Sequence, residues 1–151
     1  MSGAGRGRDV QILIVDDDEV DVLLLERALR RSGIDNPVVR ARDGQEALDL
    51  LRGAGPEPSP AWPCLVLLDI NMPRMNGHEF LAAVRSDADL SDLTIFVLTT
   101  SEDNDDIKAS YDRHVAGYLV KSGAADGVFK TAEMLGKFLD QVSFHEKCLV
   151  T

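Results

Sequence analysis

A chain of 151 residues, 44% hydrophobic and 28% charged, has the size and composition of one soluble globular domain and no length for a second. Its formal net charge of −10 argues against nucleic acid as a partner, because nucleic-acid binding draws on basic patches. No apolar run approaches the roughly 18 residues that a membrane helix needs, so no membrane contact is expected either.

The N-terminal stretch MSGAGRGRDV has arginines but no apolar segment behind them, which predicts a loose tail over residues 1–9 of a cytoplasmic protein, not a secretory signal. Next, Gln11 to Val15 is a short continuous apolar run that breaks at three aspartates, as a strand covered on both faces would. Val20, Leu23, Leu24 and Ala28 recur at helical spacing before Ser32-Gly33, with Arg30 and Arg31 in the last turn. Residues 37–41 read as a second strand, and Asp43-Gly44 turns into a helix carrying Ala47, Leu48 and Leu51. GAGPEPSPAWP, residues 53–63, is a long Pro- and Gly-rich surface loop.

Residues 65–68 form the third strand, and a helix bearing Phe80, Leu81 and Val84 follows Gly77. Residues 94–98 are the fourth strand, 103–113 the fourth helix and 117–120 the fifth strand, and a last helix over 125–142 carries Val128, Phe129, Ala132, Leu135, Phe138, Leu139 and Val142. Cys64 and Cys148 are far apart and lack CxxC or histidine-rich company, so neither a disulfide nor a zinc site is suggested, and Cys64 reads as a small core residue.

Five strands alternating with five helices call for a parallel sheet with helices on both faces, a three-layer sandwich. For five βα units the flavodoxin-like order 2-1-3-4-5 is expected, with ligands at the carboxyl ends of the strands beside the switch point between strands 1 and 3. Asp16 and Asp17 follow strand 1 and Asp69 ends strand 3, so three carboxylates converge there and would repel unless a cation sat among them. Hard oxygen donors in a partly solvated cleft suit Mg²⁺, and a main-chain carbonyl from Asn71 would complete the set, while Pro73 fixes the loop. Thr99 ends strand 4 and Lys121 ends strand 5, bringing a hydroxyl and an ammonium to the same edge. Such a set can support an acyl phosphate on Asp69. Singly, each residue has a plainer role: acids after strands, Asp17 and Asp18 included, cap helices, and a threonine or lysine at a strand end is ordinary. Their convergence on successive strand ends is what points to phosphoryl acceptance.

VDDDE, LLDINMPRMNG, VLTTS and GYLVK, in this order and spacing, resemble the receiver domain of two-component response regulators over residues 10–142. The resemblance implies that Asp69 is the phosphoacceptor, Asp16 and Asp17 the acidic metal pair, Asn71 the source of a backbone carbonyl to Mg²⁺, and Lys121 a phosphate contact. Thr99 and Tyr118 become the switch residues. Receivers usually carry a proline in a cis bond after that lysine; here Ser122 stands there, and a cis bond before a non-proline residue costs about 2.5–4 kcal/mol, which puts the cis geometry in question.

The chain is similar to the single-domain regulators serving bacterial phytochromes and related hybrid kinases. That implies a sensor histidine kinase as donor, a downstream phosphotransfer or target protein, a homodimer, and output through the surface of helix 4, strand 5 and helix 5. Residues 143–151 form a C-terminal extension too short for an output module, and the protein is read as stand-alone and non-enzymatic. Met72, Arg74 and Thr100, near the acceptor, are read as tuning the phosphate lifetime through water access. Three other readings compete: a phosphatase with Asp69 as nucleophile, which lacks a general acid because Asn71 holds that position; an FMN carrier, whose phosphate DDDEVD would repel; and a non-phosphorylated scaffold.

Overall fold

In the computed structural model, which describes residues 4–6, 10–54, 64–121 and 125–145, five apolar runs become parallel strands of one sheet: β1 (Gln11–Val15), β2 (Val38–Ala41), β3 (Cys64–Leu68), β4 (Thr94–Thr99) and β5 (Gly117–Val120). Their spatial order is β2-β1-β3-β4-β5, the flavodoxin-like order. Register runs Val15 against Leu68 and Leu68 against Val97, so the carboxyl ends of the central strands arrive level with one another.

Side-chain alternation sorts the core into two layers. Ile12, Ile14, Leu65, Leu67, Phe96 and Leu98 face helices α1 (Glu19–Arg31) and α5 (Ala125–Gln141). Leu13, Val15, Val66, Leu68, Ile95 and Val97 face the layer that contains α2 (Gly44–Arg52), α3 (Gly77–Ser86) and α4 (Asn104–Asp112). Because strand β3 is central, all five of its side chains are buried. Cys64 belongs to this core, and burial pushes its thiol up to about 12.

The starts of α1 to α4 each have a local cause. Asp18 accepts from the amides of Val20 and Asp21, Asp43 from Glu46, and Asp103 from Asp105, satisfying amides that have no partner within the helix. Asn76 and Glu79 form a reciprocal capping box before Phe80, Leu81 and Val84, which are fully buried.

The apolar stripe of α1 differs from the one expected. Val22, Leu25, Ala28 and Leu29 are buried, whereas Val20, Leu23 and Leu24 are 65%, 53% and 46% exposed. Both sets fit helical spacing, so periodicity alone does not choose between them; the Asp18 cap and packing against Ile12, Ile14 and α5 do.

Within the stretch expected to be loose, Ala4–Arg6 pairs antiparallel with Ser143–His145 of the C-terminal extension, and this two-stranded ribbon joins the two ends of the chain through backbone bonds that composition does not reveal. Most of the Pro-rich loop, Cys148 and Ser122, and with Ser122 the isomer of the Lys121–Ser122 bond, lie outside the described residues. No helix of the described residues is long and apolar enough to cross a membrane.

Candidate functional site

Backbone pairing continues one residue past several strand ends, and this sets the site. The Asp16 amide donates to the Ala41 carbonyl (3.0 Å), that of Asp69 to Val15 (2.9 Å) and that of Lys121 to Thr99 (2.6 Å). Asp16, Asp69, Thr99 and Lys121 are thereby held along the carboxyl edge of the sheet. Carboxylate oxygens of Asp16, Asp17 and Asp69 lie within 4.8 Å of one another. Asp16 is buried, Asp17 is exposed, and the Asp69 side chain is 12% exposed.

The Lys121 ammonium sits 2.8 Å from Asp16 Oδ2, 3.1 Å from Asp21 Oδ2 and 3.9 Å from Asp69 Oδ2. Burial alone would lower its pKa, but hydrogen bonding and attraction to Asp16, with Asp69 and Asp21, hold it above the usual lysine value. Burial raises the Asp69 carboxyl, as does the neighbouring Asp16 charge, against the opposing pull of Lys121, the Thr99 hydroxyl and the Asn71 amide. Four carboxylates therefore face one ammonium, and the charge deficit is what a divalent cation would offset. All the side-chain donors are hard oxygens, so the residues fit Mg²⁺ or a similar ion.

Thr99 is fully buried, its hydroxyl opposes the rise in the Asp69 pKa, and it accepts from the Ser101 amide at 3.4 Å. Asn71 is exposed and its amide donates to Asp69 Oδ1 at 3.4 Å. Tyr118 is half-buried against the core and donates its hydroxyl to the Ser101 carbonyl at 3.0 Å.

The loop from Asp69 to Gly77 is folded tightly. A Cβ on Gly77 would come within 2.7 Å of the Asp69 carbonyl oxygen and of Ile70 Cα, so the start of α3 packs on the backbone of Asp69 itself. Arg74 has a left-handed φ of 62°, and its guanidinium pairs with buried Asp43, the cap of α2. Of the three residues expected to control water access, Met72 is buried, whereas Arg74 and Thr100 are exposed.

Sequence reasoning missed four participants. Asp21 lies in DDDEVD, but its contact is with Lys121, 100 positions along the chain, and local spacing does not reveal it. Ser101, Arg40, which donates to the Asp16 carbonyl at 3.2–3.3 Å, and the Asp43–Arg74 pair depend on tertiary approach and carry no local signal.

A doubly wound parallel sheet with an acidic cluster at its switch point defines a receiver-type α/β protein. The chain belongs to the response regulator receiver domain family, whose profile matches residues 12–133. It is therefore a signalling module of the two-component type. It is 38% identical over 127 residues to response regulator Rcp1 of Synechocystis sp. (strain ATCC 27184 / PCC 6803 / Kazusa), covering 84% of this chain and 86% of that one. Among solved structures it is similar to the phosphorylated cyanobacterial phytochrome response regulator RcpA, at a TM-score of 0.77 and 36% identity over 87% of this chain and 94% of that one. The Mn²⁺-bound form of Rcp1 gives the same TM-score and identity, over 88% and 96%.

Proposed function

We propose that the protein is a stand-alone cytoplasmic response regulator in which Asp69 accepts a phosphoryl group from the phosphohistidine of a sensor kinase, of phytochrome or hybrid type. The observation that carries this reading is the convergence of Asp16, Asp17, Asp69, Thr99 and Lys121 on one strand edge. The Asp69 carboxylate attacks phosphorus, the P–N bond breaks, and its electron pair leaves with the imidazole of the donor. Lys121 and the Thr99 hydroxyl are placed to take two of the phosphoryl oxygens. Asp16, Asp17, Asp69 and the Asn71 carbonyl would hold Mg²⁺, which would supply the remaining charge neutralisation.

Transfer draws Thr99 toward Asp69, and the β4–α4 loop follows through Ser101, whose carbonyl holds Tyr118. The altered α4-β5-α5 surface, where Tyr111 and Val120 are exposed, then signals by contact with a target, a phosphotransfer partner or a second copy in a homodimer. The relatives called phytochrome response regulators support the kinase assignment, and the Mn²⁺-bound relative supports a divalent cation at the acidic cluster. Asp69→Asn abolishes Mg²⁺-dependent labelling by a histidine kinase or acetyl phosphate; labelling that persists in the variant contradicts the assignment.

A further inference from the structure

Between α3 and α4 lies a pair of side chains that phosphoryl transfer does not use. His78, in the first turn of α3, places Nε2 2.8 Å from Oδ1 of Asp106 on α4. The other Asp106 oxygen accepts from the Ser101 hydroxyl at 2.6 Å. The remaining polar groups of Ser101 face the switch: its amide donates to Thr99 Oγ1 at 3.4 Å, and its carbonyl accepts the Tyr118 hydroxyl at 3.0 Å. An unbroken chain of hydrogen bonds therefore runs from the start of α3 to both switch residues. It begins one residue after Gly77, which packs on the backbone of Asp69.

Two features mark the pair as more than a surface contact. The Ser101 hydroxyl and then His78 hold the Asp106 carboxyl below the usual carboxylate range, so its bonds are made as a carboxylate and are charge-assisted. His78 Nδ1, by contrast, is buried and has no hydrogen-bond partner among the described residues. Buried polar atoms are nearly always bonded, and the ring stays in place against the cost of that unpaired atom.

The geometry points to His78 and Asp106 as a positioning pair for the switch. By holding the Asp106 carboxylate against Ser101, His78 keeps the Ser101 carbonyl where Tyr118 binds it, and so favours the turned-in Tyr118. This inference rests on the reading of Asp69, Thr99 and Tyr118 given above. Two events that favour one arrangement favour each other, so cutting the pair also weakens a phosphoryl mimic at Asp69.

The test uses the full chain carrying fluorotyrosine in a Tyr111→Phe background, so that Tyr118 is the reporting tyrosine of the two present. In His78→Ala, the ¹⁹F resonance of Tyr118 moves toward that of a solvent-exposed tyrosine, and half-saturation by beryllofluoride with Mg²⁺ rises about fivefold, the lower end of ordinary coupling strengths. His78→Gln, which keeps an N–H donor, restores both. Asp106→Asn, which leaves the Asp103 side-chain cap of α4 intact, shifts both in the same direction as His78→Ala and serves if that variant does not fold. An unchanged Tyr118 resonance in His78→Ala or Asp106→Asn overturns the inference, as does a His78→Gln chain that behaves like His78→Ala. If the parent chain fails to bind beryllofluoride, the phosphoacceptor reading falls, and the Tyr118 resonance alone still decides the role of the pair.

Discussion

Asp69 combines two requirements that oppose each other. Its carboxylate must be ionised and shielded from water to act as a nucleophile, and burial beside Asp16 raises its pKa above the usual value. A folded state with a raised carboxyl pKa binds more protons than the unfolded chain, so its stability falls as pH rises from the ordinary carboxylate value through the raised one. Above the raised value the full cost is present. Asp69→Asn removes that charge and stabilises the protein while losing phosphorylation; each kcal/mol gained raises Tm by about 2–4 °C for a chain of this size. Thermal unfolding at pH 7 and low salt checks this, and a Tm at or below wild type refutes it. Asp106 is the opposite case: the Ser101 hydroxyl, then His78, lowers its pKa. Its contribution is present above the ordinary carboxylate value and is lost as pH falls through the lowered one. Ser101→Ala therefore flattens the acid limb of the stability curve, measured by denaturant midpoints across the acid range.

At the scale of elements, the α1 stripe and the β3–α3 loop show what local pattern can and cannot fix. Two stripes of α1 satisfy helical periodicity, and only the cap and the facing sheet select Val22, Leu25, Ala28 and Leu29. Leu25→Ala should cost about 2–5 kcal/mol. Leu24→Ser, on the exposed stripe, should stay within about 0.5 kcal/mol of wild type. Urea midpoints for the pair test the assignment, and equal losses would overturn it. In the β3–α3 loop, Gly77 is set by close approach and not by a positive φ. Gly77→Ala places a methyl against the Asp69 carbonyl and Ile70 Cα, both backbone atoms that must move. A destabilisation of about 1–3 kcal/mol is expected. On the proposed role of Asp69 it should come with slower phosphorylation in the same preparation, because the loop that yields is the one that carries Asp69. The cap residues Asp18, Asp43, Asn76 and Asp103 were within reach of sequence logic, each preceding an apolar helical pattern. The Asp43–Arg74 pair was not, since it joins segments 31 positions apart.

For the whole molecule, alternation of buried strands with helical patterns was enough to reach the parallel sheet and its order, because continuous apolar runs such as residues 64–68 are what a strand covered on both faces requires. The acids at the switch point followed, since strand ends are visible wherever an apolar run meets a charge. The third-layer contacts were not legible: Ser101, Asp21 and the His78–Asp106 pair act through approach across the fold, and the ribbon of Ala4–Arg6 with Ser143–His145 is backbone pairing between the two ends of the chain. We propose that this architecture presents Asp69 for phosphoryl transfer. The most direct test is peptide mapping by mass spectrometry of the wild-type chain after incubation with acetyl phosphate, with Mg²⁺ and with the metal chelated. One phosphoryl group on the peptide containing Asp69, dependent on the divalent cation, is the predicted result; no adduct with the cation present, or an adduct on a different residue, would contradict it.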